Sequence, residues 1–464
     1  MSRAGEMEIL SERKNSIVLN AKGKKQKITC GRDSAAGSVS QRACVYCGAR
    51  VVLNPITDAY HIVHGPIGCS SYTWDIRGSL SSGSEIYRNS FCTDMREQDI
   101  IFGGEKKLAA AIDEIAGTYK PAVIFVYSTC VVGVIGDDID AVCKAAQKRT
   151  GVRVIPVRST GFAGNKASGY RAACDAILDL IGNPKLPPKR QGLNFLGDFN
   201  LAAEQWIVKG YLKEMGVKMQ TAITGDATCE SLKNAVKAQF NIVQCAGSMH
   251  YLARRMEEKF KLPFISVSFC GVEDTAKSLR EIARMTGNAE VIRKAEELIR
   301  TKTEETDKRL KYFRERLAGK KAAIYVGGGF KAISLIRQFA DLGVKTVIVG
   351  TQTGREEEYE TLREITDEGT VILDDSNPFE LETFIREKEA DILVGGVKER
   401  PLAYKLGVAF LDHNHERKHP LSGFDGALNF AQETYDTVGS PVWRLIRENW
   451  REGHEPAKLC QLER

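Results

Sequence analysis

Two hydrophobic periods succeed each other along most of the chain. Short runs of Val, Ile, Leu and Phe bounded by Gly, Pro or Asn predict buried strands, and stretches with apolar residues three and four apart predict helices. Pro121–Tyr127 is such a strand; Asp137–Arg149 then has helical spacing with acidic residues at its start, and Val152–Val157 is the next strand. After a Pro- and Lys-rich break at Gly182–Arg190, the alternation resumes with a strand at Leu193–Gly197 and a helix over Ala202–Met215. Strands are predicted at Val217–Ala222, Phe240–Gln244 and Phe264–Val267, followed by a long charged helix over Ala289–Leu317. Lys321–Val326 then runs into Gly327-Gly-Gly329, with further strands at Val344–Val349, Val371–Leu373, Ile392–Val394 and Val408–Leu411. Alternating strands and helices predict an α/β protein with parallel sheets. The breaks divide it into an N-terminal arm (1–40) and three Rossmann-like domains (41–190, 191–317 and 318–464), the last including a C-terminal segment.

Composition narrows this picture without changing it. With 464 residues, 43% hydrophobic and 27% charged, the chain is that of a globular protein of roughly two to four domains. No apolar window is long enough for a membrane span, and the charged N-terminus lacks the apolar core of a signal peptide, so a cytoplasmic protein is expected. The 66 basic residues nearly balance 60 acidic ones. The densest basic run, Lys22–Ile28, is short and has no interleaved aromatics, so it reads as a solvated arm; neither nucleic acid nor membrane is an expected partner. The Gly327–Gly329 turn lacks the spacing of a dinucleotide fingerprint, and no phosphate-binding Gly-x-x-x-x-Gly-Lys-Ser/Thr occurs.

Cysteine is where chemistry enters. Twelve cysteines are many for a reducing compartment, where disulfides rarely persist. Cys143, Cys174, Cys229 and Cys270 fall in apolar patterns and are expected in cores, while Cys30 and Cys460 look incidental. Cys44, Cys69 and Cys130 differ: each lies beside glycines or at a predicted strand end, where an iron–sulfur ligand would be placed. Three thiolates are one short of the usual set for a cubane cluster, which points to a fourth from another chain. Cys47 and Cys92 are possible extra ligands. Ligands of open α/β folds gather beyond the carboxyl ends of strands, and Cys130, Cys245 and His413 take that place, one in each domain. Cys245 opens a helix, whose aligned amides stabilise a thiolate. His413 starts a His-x-His loop with Glu416 and His419, which suits either zinc or plain hydrogen bonding.

Read in order, Arg42–Gly48, His64–Cys69, Phe91–Lys107, Ser128-Thr-Cys130 with Ile135–Asp138, Gly161-Phe162, Cys245 and Gly423–Gly426 resemble the α-type branch of the nitrogenase component 1 family, over about Ala35 to Arg444. Tyr72–Gly78, Ile242–Met249 and Asp412–Arg417 resemble its cofactor-assembling members. The resemblance implies a nitrogenase α-subunit-like fold. It further implies that Cys44, Cys69 and Cys130 share a 4Fe-4S-type cluster, or a P-cluster-like eight-iron cluster, with a NifN-like β-type subunit in an α2β2 heterotetramer. Cys245 would anchor the iron–molybdenum cofactor or its iron–sulfur precursor, and Lys398, Arg77 and Lys166 would hold negative groups of the cluster or of homocitrate. The implied partners are a NifB-like cluster donor, a NifH-like reductase and apo-nitrogenase.

Two functions follow from the resemblance. One is a scaffold on which the precursor receives molybdenum and homocitrate before transfer. The alternative is the catalytic α subunit of a nitrogenase-like reductase, such as a methylthio-alkane reductase or an alternative nitrogenase. Catalytic members use a His after the last strand; counting from Lys398 puts Asn414 there, and counting back from Gly423 puts His413 there. Lys166 and Tyr170 stand where catalytic members carry Gln and His, which favours the scaffold, while His250 could restore a proton donor.

Overall fold

The structure, a computed structural model, describes residues 13, 15–21, 28–30, 43–74, 89–244, 246–413, 417 and 419–446. Most of its central strands are apolar and buried, as parallel strands covered by helices read as continuous hydrophobic runs. The strands form three sheets. The N-terminal segment supplies β1 (Ile17–Leu19). The first sheet holds β2 (Ala59–His64), β3 (Ser90–Cys92), β4 (Val123–Ser128) and β5 (Val154–Val157), in the order β3-β2-β4-β5, all parallel. The second holds β6 (Leu193–Asp198), β7 (Met219–Thr224), β8 (Phe240–Val243) and β9 (Phe264–Ser266), in the parallel order β7-β6-β8-β9. The third holds β10 (Lys321–Val326), β11 (Lys345–Thr351), β12 (Val371–Asp374), β13 (Ile392–Gly395) and β14 (Ala409–Asp412). Its order is β1-β12-β11-β10-β13-β14, parallel except for β1, whose Ile17 pairs antiparallel with Leu373. The α/β class with parallel sheets is therefore as the hydrophobic pattern predicts, and the long helix spans Ala289–Leu317 as expected.

Each sheet reverses its winding between two central strands: β2 and β4, β6 and β8, β10 and β13. Beyond the carboxyl ends of such a pair the loops leave in opposite directions and open a crevice, the usual ligand position in doubly wound folds. The chain divides into two compact units. One comprises Arg42–Lys308 and Arg417–Asn429 and contains the first two sheets; the other comprises Met1–Gln41, Arg309–Glu416 and Phe430–Arg464 and contains the third. The arm is thus bound into the third sheet's unit, where Arg13 also pairs with Glu380 at 2.9 Å.

Within the first unit, the helix Val45–Leu53 is buried at every position. It lies against the helix Lys166–Ile181 with no room for side chains at the crossing: a Cβ at Gly48 would stand 2.1 Å from the Lys166 carbonyl oxygen, and one at Gly169 would stand 2.0 Å from that of Val45. Residues 417–429 complete this unit's second core. Gly423 N–H donates to the Phe269 carbonyl, Phe424 packs its ring edge-on to Tyr211, and Arg417 pairs with the buried Glu204 at 2.9 Å. Cys143, Cys174 and Cys229 are buried, as expected of core thiols, whereas Cys270 is only partly so. Among the described residues no helix is long and apolar enough to cross a membrane.

Candidate functional site

The crevice of the first sheet gathers the three cysteines. β2 ends at His64, and Gly65-Pro66 turns into the helix Ile67–Trp74, which carries Cys69 in its first turn. β4 ends at Ser128, and Thr129 leads into the helix Cys130–Ile135. Thr129 Oγ1 donates to the His64 carbonyl at 2.9 Å and so binds the two strand ends together. Cys44 is the residue on which the helix Val45–Leu53 begins. Its sulfur and that of Cys130 flank Gly161, where a Cβ would stand 2.7 Å from Cys130 Sγ and 3.7 Å from Cys44 Sγ. A side chain at 161 would occupy the space between the two thiols; glycine leaves it open.

Cys69 belongs to the same group. Burial raises its pKa, and the thiols of Cys130, Cys44 and Cys92 raise it further, because neighbouring negative charge disfavours a second thiolate. Cys92 is held apart by its own bonds: its Sγ donates to the Gly65 carbonyl at 3.4 Å and accepts from Asp94 N–H at 3.3 Å. Cys47 is buried in the core. Among the described residues no three His, Cys, Asp or Glu side chains are arranged around a single metal ion.

Around these thiols the surface is apolar. Phe102 is 85% exposed and Phe162 64%, with Ile67, Ile101 and Val134 also exposed. Ile67 lies two residues from Cys69, Val134 is in the helix that Cys130 opens, and a Cβ on Gly133 of that helix would stand 3.2 Å from the Phe162 ring. The helix Glu97–Phe102 packs against the same helix. Sequence patterning missed this rim, because nothing in an apolar residue's neighbours along the chain says that it faces outward. An exposed apolar patch of this kind marks an interaction surface.

Behind the thiols, two buried histidines are kept neutral. His64 Nδ1 meets Thr93 Oγ1 at 3.0 Å and Nε2 meets Asp137 at 3.1 Å; burial lowers its pKa against the opposing pull of Asp137. His61, fully buried on β2 with Nδ1 2.9 Å from the Tyr127 hydroxyl, is lowered well below 6.5 by burial and then by Arg50. Because the unfolded chain protonates first, stability from this site is complete above about pH 6.5 and is lost as pH falls below it. Thermal melts between pH 7.5 and 5 should therefore show a falling midpoint, and His61→Phe should flatten that slope; an equally steep slope in the variant would remove His61 as a source.

The other predicted site residues are dispersed. Lys166 opens the helix Lys166–Ile181, with Nζ 6.0 Å from the Tyr170 ring centre. His250, on the helix Ala246–Phe260 after β8, sets Nε2 3.0 Å from Ser266 Oγ and its ring edge-on to Phe264. In the other unit, Lys398 is exposed just after β13. His413, after β14, is buried with its ring against Phe430; its N–H donates to the Gly395 carbonyl, and its own carbonyl accepts from Lys331 Nζ. Arg77, Cys245, Asn414 and Glu416 lie outside the described residues. The glycine turn after β10 is filled from within: Glu358 accepts from Phe330 N–H at 3.1 Å, so a carboxylate already sits where a phosphate would bind.

Three doubly wound sheets, with three cysteines grouped at the first, define the class of protein by architecture. The chain belongs to the nitrogenase component 1 type oxidoreductases, whose pattern it matches over residues 44–439. A solved structure described as nitrogenase Cp1 at pH 5 superposes with a TM-score of 0.85 at 32% identity, covering 94% of this chain and 96% of that one. Within the family, the chain is 63% identical over 444 residues to the nitrogenase iron-molybdenum cofactor biosynthesis protein NifE of Clostridium pasteurianum, covering 95% of this chain and 97% of that protein. It is 48% identical to the NifE of Methanosarcina barkeri, covering 96% and 99%.

Proposed function

We propose that this chain is a NifE-like scaffold subunit which, with a NifN-like β-type partner, holds the iron–sulfur precursor of the iron–molybdenum cofactor. Molybdenum and homocitrate are inserted there, and the product passes to apo-nitrogenase. The observation that carries this is the 63% identity over nearly the whole of both chains to a protein named for cofactor biosynthesis. A catalytic reductase has no comparable support.

In this reading Cys44, Cys69 and Cys130 are ligands of a cluster that bridges to the partner, either 4Fe-4S or a larger P-cluster-like form. The residues fit it: three thiols face one crevice, and Gly161 keeps the space between two of them clear. When bound, such a cluster supplies one-electron storage. This chain's part is to give three thiolates, to orient them through Thr129 and the glycine-packed helices, and to exclude water once the partner covers Ile67, Phe102, Val134 and Phe162. The partner brings the remaining thiolate. An α2β2 heterotetramer, a NifH-like reductase and a NifB-like donor complete the assembly.

The larger cluster is cargo. Cys245, which the resemblance assigns to it, is its anchor. Arg77, Lys166 and Lys398 hold its negative groups, and His413 or Asn414 takes the second contact; these roles rest on the resemblance. His250, bonded to Ser266, would serve as a proton donor in the alternative reading, a catalytic reductase. The deciding experiment is to purify the complex with its partner anaerobically and supply cofactor-free nitrogenase. Activation of that nitrogenase is the expected result; steady substrate reduction by the isolated complex, with no transfer, would overturn the scaffold.

A further inference from the structure

We propose that the buried guanidinium of Arg50 sets the reduction potential of the cluster held by Cys44, Cys69 and Cys130; this rests on the reading of those cysteines as ligands. Arg50 lies on the helix that begins at Cys44 and is 3% exposed. Its Nη2 donates to Ser90 Oγ, but Nε and Nη1 are buried without a hydrogen-bond partner, and no carboxylate among the described residues pairs with it. The neighbouring groups bring no negative charge. The Tyr127 ring lies 5.4 Å beneath the guanidinium, and His61, beside Tyr127, is neutral.

A buried cation left unpaired is costly, so a protein that keeps one normally supplies an anion. The candidate anion is next door. Tyr46 stands edge-on to Tyr127 at 5.9 Å; its hydroxyl is 2.7 Å from Thr73 Oγ1, which donates to the Cys69 carbonyl at 3.3 Å. Charge interactions across such a dry interior are weakly screened. Each electron added to a thiolate-bound cluster makes it more negative, so Arg50 favours the reduced state and raises the potential.

The test is an EPR-monitored redox titration of the complex with its partner, comparing parent, Arg50→Met and Arg50→Lys. Arg50→Met should retain its iron and spectral signature. At the parent's midpoint, its reduced-to-oxidised ratio should fall about tenfold, a shift of about 59 mV to more negative potential for a one-electron couple. Arg50→Lys should stay near the parent. In the cluster-free protein Arg50→Met should melt no lower than the parent, since it removes an unpaired charge. If Arg50→Met does not fold, Arg50→Gln carries the same comparison. An intact cluster at unchanged potential overturns this inference alone; a parent complex with no cluster on the three cysteines overturns the ligand reading with it.

Discussion

Cys69→Ala, co-expressed with the β-type partner and purified without oxygen, is expected to lose the bridging cluster almost completely. Its iron content falls by that cluster's share, and its EPR signal disappears. Cys69 is the member of the trio that lies near Cys44, Cys130 and Cys92 together, so its removal leaves this chain with the two thiols beside Gly161. Two thiolates from one subunit cannot hold a cubane that needs four ligands. Cys44→Ala and Cys130→Ala should behave alike. Cys92→Ala is the informative control, since its sulfur is already engaged by Gly65 and Asp94; it should keep its iron. Undiminished iron in Cys44→Ala, Cys69→Ala and Cys130→Ala would refute the assignment.

Gly169→Ala is expected to be strongly destabilising to the first unit. The added Cβ would stand 2.0 Å from the Val45 carbonyl oxygen, which is backbone and cannot rotate away; Gly48→Ala meets the Lys166 carbonyl at 2.1 Å from the opposite side. The two helices must then part by more than an ångström. Overpacking of this kind costs about 3 kcal/mol or more, and in a unit of this size each kcal/mol lowers the melting midpoint by roughly 2–4 °C. Cys44 opens one of these helices and Lys166 the other, so the displacement should also reduce cluster content. Gly117→Ala, in the helix Glu105–Tyr119 with open space around its would-be Cβ, should be neutral or slightly stabilising through helix propensity. Equal melting points for Gly169→Ala and Gly117→Ala would contradict the close crossing.

The strands that could be read in advance are those whose apolar run is unbroken. β4 and β10 are buried almost throughout, and the charged helix Ala289–Leu317 repeats its pattern for 29 residues. β2 was hidden because His61 and His64 interrupt its run, and both are buried through bonds to Tyr127, Thr93 and Asp137 that no local pattern reveals. β1 and β3 are three residues each, too short for any period to show. For the site, glycines beside thiols were a usable signal, because they mark where backbone makes room. The apolar rim and the burial of Arg50 with no carboxylate partner among the described residues were not, since both are settled by residues distant in sequence.

The route of the chain between its two units has a practical consequence. Residues 417–429 return to the first unit after the third sheet is complete, and they bring Arg417 to Glu204, Gly423 to Phe269 and Phe424 to Tyr211. Neither unit is therefore an uninterrupted stretch of the gene. A fragment ending at residue 308 would leave Glu204 as a buried anion without its cation and Tyr211 beside an empty slot. On the ribosome, that unit completes its core only after nearly the whole polypeptide has emerged, so a premature stop before residue 417 leaves the early half of the protein without these contacts.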